Sequence, residues 1–381
     1  MELYGKNYSV KDLRRRVGSM DQIAGVRTVQ LDDGNERPTR AAVIHTGSGL
    51  EITVLLDRGL DIASASHCGR AMGWRSTTGN VAPQYFEPEG LRWLRSYAGG
   101  LVTTCGLTNV GAPAPDSPMN GRGLHGRIDN TPARNIRIIQ EWQGGDYVLC
   151  VQGTMREASV FGENLTLTRS VVTVLGENRF WIRDVLANDG FNKTPYMLLY
   201  HCNLGWPVVD AGSRLIAPSR FVAPRDARAK DGVEDYAQMD APIHGYAEKC
   251  YYHGMAPARD GSVTAAVVND GFKKGGGGGF GAYVRYNNNE LPRFVQWKQM
   301  GEQEYVCGLE PCTCGIEGRA ADEEHGLLNF LKPGESREFN LEFGAITHAD
   351  EVREIEKAAG RVKTVFTESY LDFVKPARHG G

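Results

Sequence analysis

Arg337-Glu338-Phe339-Asn340-Leu341-Glu342-Phe343 alternates polar and apolar residues without a break. Successive side chains of a strand point to opposite faces, so Phe339, Leu341 and Phe343 share one side. That side should be core and the other solvent. The same period recurs along the chain, at Leu50 to Leu56, Asp146 to Thr154, Asn164 to Val174, Arg179 to Leu186, Ser262 to Val268, Gly281 to Tyr286 and Arg293 to Met300. Many short alternating segments between Gly and Pro breakers mark an all-β architecture. Helical patterning is confined mainly to the ends. Ser9 to Val17 opens on a capping serine and stops before Gly18, and Asp350 to Ala358 has early acids, a late lysine and Gly360 behind it. Pro113 to Pro118 reads as a surface loop. Lys274 to Gly279 ends in five glycines; it lacks the following Lys-Ser/Thr and helix of a phosphate loop. These patterns predict one large antiparallel β-sandwich over residues 1–381, with short terminal helices; two domains are the minor alternative.

The 381 residues are 23% charged and 41% hydrophobic, with a net charge of −3. No long basic run suggests a nucleic-acid partner. No window approaches the ~18 uninterrupted apolar residues of a membrane span, and Met1 to Lys6 has no secretory apolar region. The eight cysteines include Cys312-Thr313-Cys314 but no Cys-x-x-Cys pair, so zinc-ribbon or thioredoxin-type readings are weak and a reducing cytoplasm fits. Nothing in the pattern sets the oligomeric state; a homodimer is one option.

Three islands place an acid–base residue among apolar or small ones: Gly123-Leu124-His125-Gly126, Tyr200-His201-Cys202-Asn203 and Gly308-Leu309-Glu310-Pro311. His201 lies in a continuous apolar run, where desolvation opposes its charged form. Asn203 follows at i+2 on the same face, which suggests a lined pocket. Glu310 shares a face with Val306 and Gly308, and Pro311 should end the strand or mark an edge. Each alone is as compatible with a bonded core histidine or a capping glutamate as with chemistry. Arg58, by period-2 counting, closes the interior row Ile52, Val54 and Leu56. It could pair with Asp57 or Asp61, or fork toward substrate. The strand Phe294 to Lys298 should pair with Tyr305 to Pro311. A three-residue loop (302–304) sets Gln296 opposite Glu310 and brings Lys298 to the pocket side; a two-residue loop puts Trp297 there instead. The first register is the one expected.

These islands, in this order, with Asp57-Arg58-Gly59-Leu60-Asp61 and Gly99-Gly100-Leu101, resemble the aldose 1-epimerase (galactose mutarotase) superfamily, and more closely its uncharacterised bacterial branch. The resemblance runs from Leu13 to about Phe343. It implies a β-sandwich with an open sugar cleft, Glu310 as general base, His201 as general acid, and His125 and Arg58 as sugar-binding groups. Asp240 is the match for an aspartate that binds sugar hydroxyls. Cys202-Asn203 departs from an aromatic position of the family. Lys298 also departs, and would suit an acidic or otherwise modified monosaccharide. Such chemistry interconverts α and β anomers by ring opening and needs no cofactor or metal. Two other readings stay open: a metal-assisted sugar isomerase or lyase, and a non-catalytic carbohydrate-binding protein of the same fold.

Overall fold

The computed structural model describes residues 1–114, 122–271, 280–360 and 362–372. The glycine loop at 274–279 and most of the proline loop lie outside these. The described strands form a thirteen-stranded and an eight-stranded sheet, with two further small pairs. In the larger sheet the spatial order runs Val365–Phe366, Ser219–Pro224, Lys249–Met255, Arg293–Met300, Tyr305–Cys312, Thr194–Leu204, Val102–Leu107, Asp61–His67, Leu50–Leu55, Arg40–His45 and Gly25–Gln30. The smaller runs Arg134–Gln143, Asp146–Ala158, Asn164–Val174, Arg179–Asn188, Ser336–Ile346, Phe280–Asn287, Ser262–Asn269 and Arg214–Ile216. Pairing is antiparallel except between Val365–Phe366 and Ser219–Pro224. This is the mostly-β sandwich that the alternation predicts.

The two sheets bury one shared core. Leu198, Tyr200, Cys202 and Leu309 enter it from the larger sheet, and Ile182, Phe339, Leu341 and Phe343 from the smaller. Charge is buried here as well. Arg169 lies 2.6 Å from Asp184 and 2.8 Å from Asp61, and the Tyr200 hydroxyl donates to Asp184 over 2.6 Å. Removing one member of such a network strands a buried charge and costs about 3–5 kcal/mol. Tyr200 therefore anchors its strand from behind, while its neighbours in sequence face the other way.

The larger sheet is covered on its far face too. Met197, Leu199, Val295 and Val306 pack there with Trp74, Trp93 and Tyr97. A strand covered on both faces reads as a continuous apolar run, which explains Met197 to Leu204. At the ends, the short helix Val10–Arg14 carries a reciprocal capping box between Ser9 and Asp12, and Ala349–Ala359 ends at Gly360.

Two sequence expectations fail here. The hairpin of Arg293–Met300 with Tyr305–Cys312 closes with Met300 opposite Tyr305, leaving residues 301–304 as its loop, and Gln303 takes a left-handed φ of 67°. Val295 consequently opposes Glu310 and Trp297 opposes Gly308. Phe294 and Met300 are committed to the inter-sheet core, and that fixes the parity of the whole strand. Gln296 and Lys298 share their side, away from Glu310. Gln296 Nε2 donates to the Tyr236 carbonyl and its Oε1 lies 3.3 Å from His253 Nε2. Lys298 donates to the Asp235 carbonyl and sits 3.2 Å from the Asp240 carboxylate.

Arg58 is the second. Its strand stops at Leu55, so the parity count does not reach it. Its buried guanidinium pairs with Asp129 at 3.0 Å and donates to the Ser96 carbonyl. Asp57 pairs with Arg40 instead, and Asp61 with Arg169.

Candidate active site

The strand Thr194–Leu204 registers Cys202 with Leu309 and Asn203 with Gly308. His201 therefore stands across the ladder from Glu310, beside Pro311, which has no N–H to give. Both side chains project from the far face of the larger sheet. His201 Nε2 lies 3.2 Å from Glu310 Oε1. Gly308 makes the space: a Cβ there would sit 2.7 Å from Glu310 Oε1 and 3.0 Å from the Trp297 Cβ. Glu310 Oε1 is buried without a hydrogen-bond partner among the described residues, a state that costs about 1–3 kcal/mol.

His201 is oriented from behind. Asn203 Nδ2 donates to the His201 carbonyl, which turns its Oδ1 to accept from the Tyr97 hydroxyl over 2.8 Å. The Tyr97 oxygen also lies 3.3 Å from His201 Nδ1. With the tyrosine proton given to Asn203, Nδ1 must be the donor, and neutral His201 presents an unprotonated Nε2 toward Glu310. Tyr97 is fixed in turn by stacking on Trp93, ring centroids 4.3 Å apart, and Trp93 Nε1 donates to Asp129, the partner of Arg58. Arg58 and Asn203 thus support the site from a second layer.

His125 arrives on the loop after Val102–Leu107, with a left-handed φ of 58° between close-packed glycines. A Cβ on Gly126 would collide with the Gly106 carbonyl at 2.2 Å. The His125 Nδ1 accepts from the Gly111 N–H, so its neutral ring carries the proton on Nε2. Its centroid lies 5.8 Å from that of His201.

Burial governs the titration of all three. Desolvation lowers His201 to about 4, against a smaller opposing effect of Asn203, and lowers His125 to about 3, helped by His201. Desolvation raises Glu310 well above the usual carboxylate range, reinforced by Glu248 and opposed by Arg225. Burial therefore disfavours charge on both members of the couple, on the Glu310 carboxyl and on the His201 ring alike.

These residues line a cleft of about 390 Å³, within the ~300–1,000 Å³ of small-molecule sites. Sequence reasoning reaches three of its polar groups, Glu310, His201 and His125. It misses Arg225, Glu248, Glu317, Tyr97 and the aromatic wall Trp93, and it reaches Trp297 only through the hairpin register it did not favour. Tyr97 immediately precedes Ala98-Gly99-Gly100, which was a usable signal; Arg225, Glu248 and Glu317 come from three separate segments and left none. Trp297 Nε1 donates to Glu248 over 2.7 Å, and Glu248 pairs with Arg225 at 3.0 Å. Of the other expected binding residues, Asn203 is one layer behind, while Gln296, Lys298, Asp240 and Arg58 do not line this cleft. No cluster of three His, Cys, Asp or Glu side chains placed to hold a metal ion occurs among the described residues.

Residues 36–345 match a family described as a domain of unknown function, DUF4432. The chain belongs to the DUF4432 family. A solved member of the same fold is a provisionally named aldose 1-epimerase from Klebsiella pneumoniae subsp. pneumoniae MGH 78578. It is 25% identical, with a TM-score of 0.85 over 92% of this chain and 93% of that one. Galactose 1-epimerase from Lactobacillus acidophilus NCFM is 13% identical, with a TM-score of 0.53 over 85% of this chain and 99% of the other. A galactose mutarotase-like protein from Clostridium acetobutylicum is 11% identical, with a TM-score of 0.57 over 86% and 99%. At these lower identities the likeness shows the fold. No curated protein matches the chain significantly. This DUF4432 chain therefore has the galactose mutarotase-like fold, and no described helix is long and apolar enough to cross a membrane.

Proposed function

We propose that this chain is an acid–base sugar isomerase of the aldose 1-epimerase type, acting on a monosaccharide through Glu310 and His201. The observation that carries the reading is the cross-strand couple itself. One buried carboxyl and one buried imidazole face each other 3.2 Å apart at the floor of a monosaccharide-sized cleft. The unbonded Glu310 Oε1 is the atom a substrate hydroxyl or ring oxygen would satisfy. Ring opening removes the proton from the anomeric hydroxyl and delivers one to the ring oxygen. The C1–O5 bond breaks as the C1 carbonyl forms. Rotation about C1–C2 and closure on the other face complete the exchange.

In the opening half, a protonated Glu310 gives its proton to the ring oxygen while His201 Nε2 accepts the anomeric one. The return half runs the other way, with Glu310 as base and His201 as acid, the roles that the family resemblance implies. The His125 Nε2–H is a second donor beside the couple. Positioned proton transfer of this kind contributes about 10²–10⁴-fold in rate. Polarimetry on freshly dissolved single anomers tests the proposal. Wild type should accelerate equilibration of at least one aldose, and His201→Ala should lose the acceleration. Saturable sugar binding without any acceleration would make the protein a binder instead.

A further inference from the structure

The charge and wall chemistry of the same cleft narrow the ligand, on the proposed reading that this is a sugar site. Arg225 is the cation among the described lining residues. Its guanidinium is held by Glu248 at 3.0 Å and Asp226 at 3.3 Å. Glu248 and Glu317 bring two carboxylates to the same wall, and Lys298 faces the opposite side of its strand. An anionic substituent would enter beside these carboxylates, with the guanidinium fork already engaged. At ~4 Å, two like charges near a protein surface repel by about 4 kcal/mol.

The mouth is apolar. Leu91 and Leu94 flank buried Trp93 on the short turn at Arg92–Arg95 and remain 60% and 51% exposed. Leu124, Ile316 and Pro113 extend the same wall. Leucines left open to solvent beside a polar floor suit a ligand with one apolar edge.

The geometry points to an uncharged deoxy sugar as the preferred ligand, an aldose whose terminal hydroxymethyl is replaced by methyl. The floor of His125, His201 and Glu310 engages the anomeric end, and the leucine wall covers the methyl. Leu91, Leu94, Leu124 and Ile316 offer the hydroxyl of a hydroxymethyl group no side-chain hydrogen bond. A uronate or sugar phosphate meets Glu248 and Glu317.

Matched pairs test this. Anomeric exchange is measured by saturation-transfer NMR for D-fucose against D-galactose, L-rhamnose against L-mannose, and D-galactose against D-galacturonate. In parallel, binding of each sugar to the Glu310→Gln protein is followed by ligand-observed NMR. The deoxy member of each of the first two pairs should be favoured about 10-fold or more, the range in which one small group changes specificity. The uronate should be the poorest. Leu94→Asn should shrink the deoxy preference without rescuing the uronate. Hydroxymethyl sugars equal to or better than their deoxy partners, or a uronate that competes with them, would overturn the inference. If the binding order holds but no sugar exchanges faster than background, the ligand class stands and the isomerase proposal fails.

Discussion

Gly308→Ala is the sharpest perturbation the geometry offers, because it adds one methyl beside the proposed catalytic couple and removes nothing. Gly308 has extended backbone, so alanine is conformationally acceptable. Its Cβ would lie 2.7 Å from Glu310 Oε1 and 3.0 Å from the Trp297 Cβ. Comfortable carbon contacts begin at about 3.5 Å, so the carboxyl must retreat by roughly 0.5–1 Å. The present separation from His201 is 3.2 Å, and a shift of that size breaks the alignment with a substrate held by His125 and His201. A misplacement of about 1 Å can cost ~10²-fold, so kcat should fall about 10- to 100-fold. Stability should fall by about 0–2.5 kcal/mol. Alanine gains about 0.5–1 kcal/mol over glycine in a strand, against roughly 1–3 kcal/mol for overpacking. Anomer exchange by NMR, with urea midpoints and tryptophan fluorescence on the same samples, reads both effects. A folded Gly308→Ala protein with wild-type kcat would refute the placement of chemistry at this couple.

Tyr97→Phe removes the hydroxyl that fixes the His201 tautomer; kcat should drop about 10-fold, the equivalent of one hydrogen bond of ~1.5 kcal/mol, with KM nearly unchanged, and a KM effect alone would contradict a positioning role. Lys298→Met should leave the ratio of neutral to acidic sugar rates unaltered, because the ammonium faces the Asp235 carbonyl and Asp240; a selective loss on acidic sugars would overturn the register. The buried histidines make acid unfavourable to the fold. His201, His125 and His253 are held neutral by burial, at about 4, 3 and 3, so the unfolded chain binds more protons below its ordinary histidine value near 6.5. Their contribution is fully present above that value and is lost as pH falls toward the folded values, by up to about 3 kcal/mol for His201 alone. Buried carboxyls such as Glu310 and Asp129, the latter pushed up to about 6, act in the opposite direction, so the histidine effect is read as a difference: between pH 7 and 5 the urea midpoint of His253→Phe should rise relative to wild type, and a difference independent of pH would contradict a neutral buried imidazole.

The fold was legible because strand alternation depends on local sequence. Phe339, Leu341 and Phe343 enter the core as their spacing requires, and Asn164–Val174 and Arg293–Met300 have the bounds that the alternation gives. The face shared by Val306, Gly308 and Glu310 was legible for the same reason. Which strands lie side by side was not. His201 and Glu310 are more than a hundred residues apart, and only the pairing of their strands makes them neighbours. The family resemblance, not periodicity, linked them in advance. The pocket side of Gln296 and Lys298 failed on a single residue of loop length, since one step of register exchanges every face. Arg58 failed because parity stops where a strand stops. Lys298 remains the instructive case: a lysine near the proposed catalytic strand invites an anion, yet its side chain serves the opposite face.

Glu310→Gln tests the central claim most directly. It keeps the shape of the side chain and removes the carboxyl's capacity to exchange a proton, so saturation-transfer exchange between α and β anomers should fall about 10²–10⁴-fold. The fold should be as stable or more so at pH 7. Burial disfavours the Glu310 carboxylate in the folded chain relative to the unfolded one, so the carboxyl costs stability as pH rises above the ordinary glutamate value. Lost exchange in a protein that still binds the sugar is the predicted result. Exchange at the wild-type rate in Glu310→Gln would contradict it.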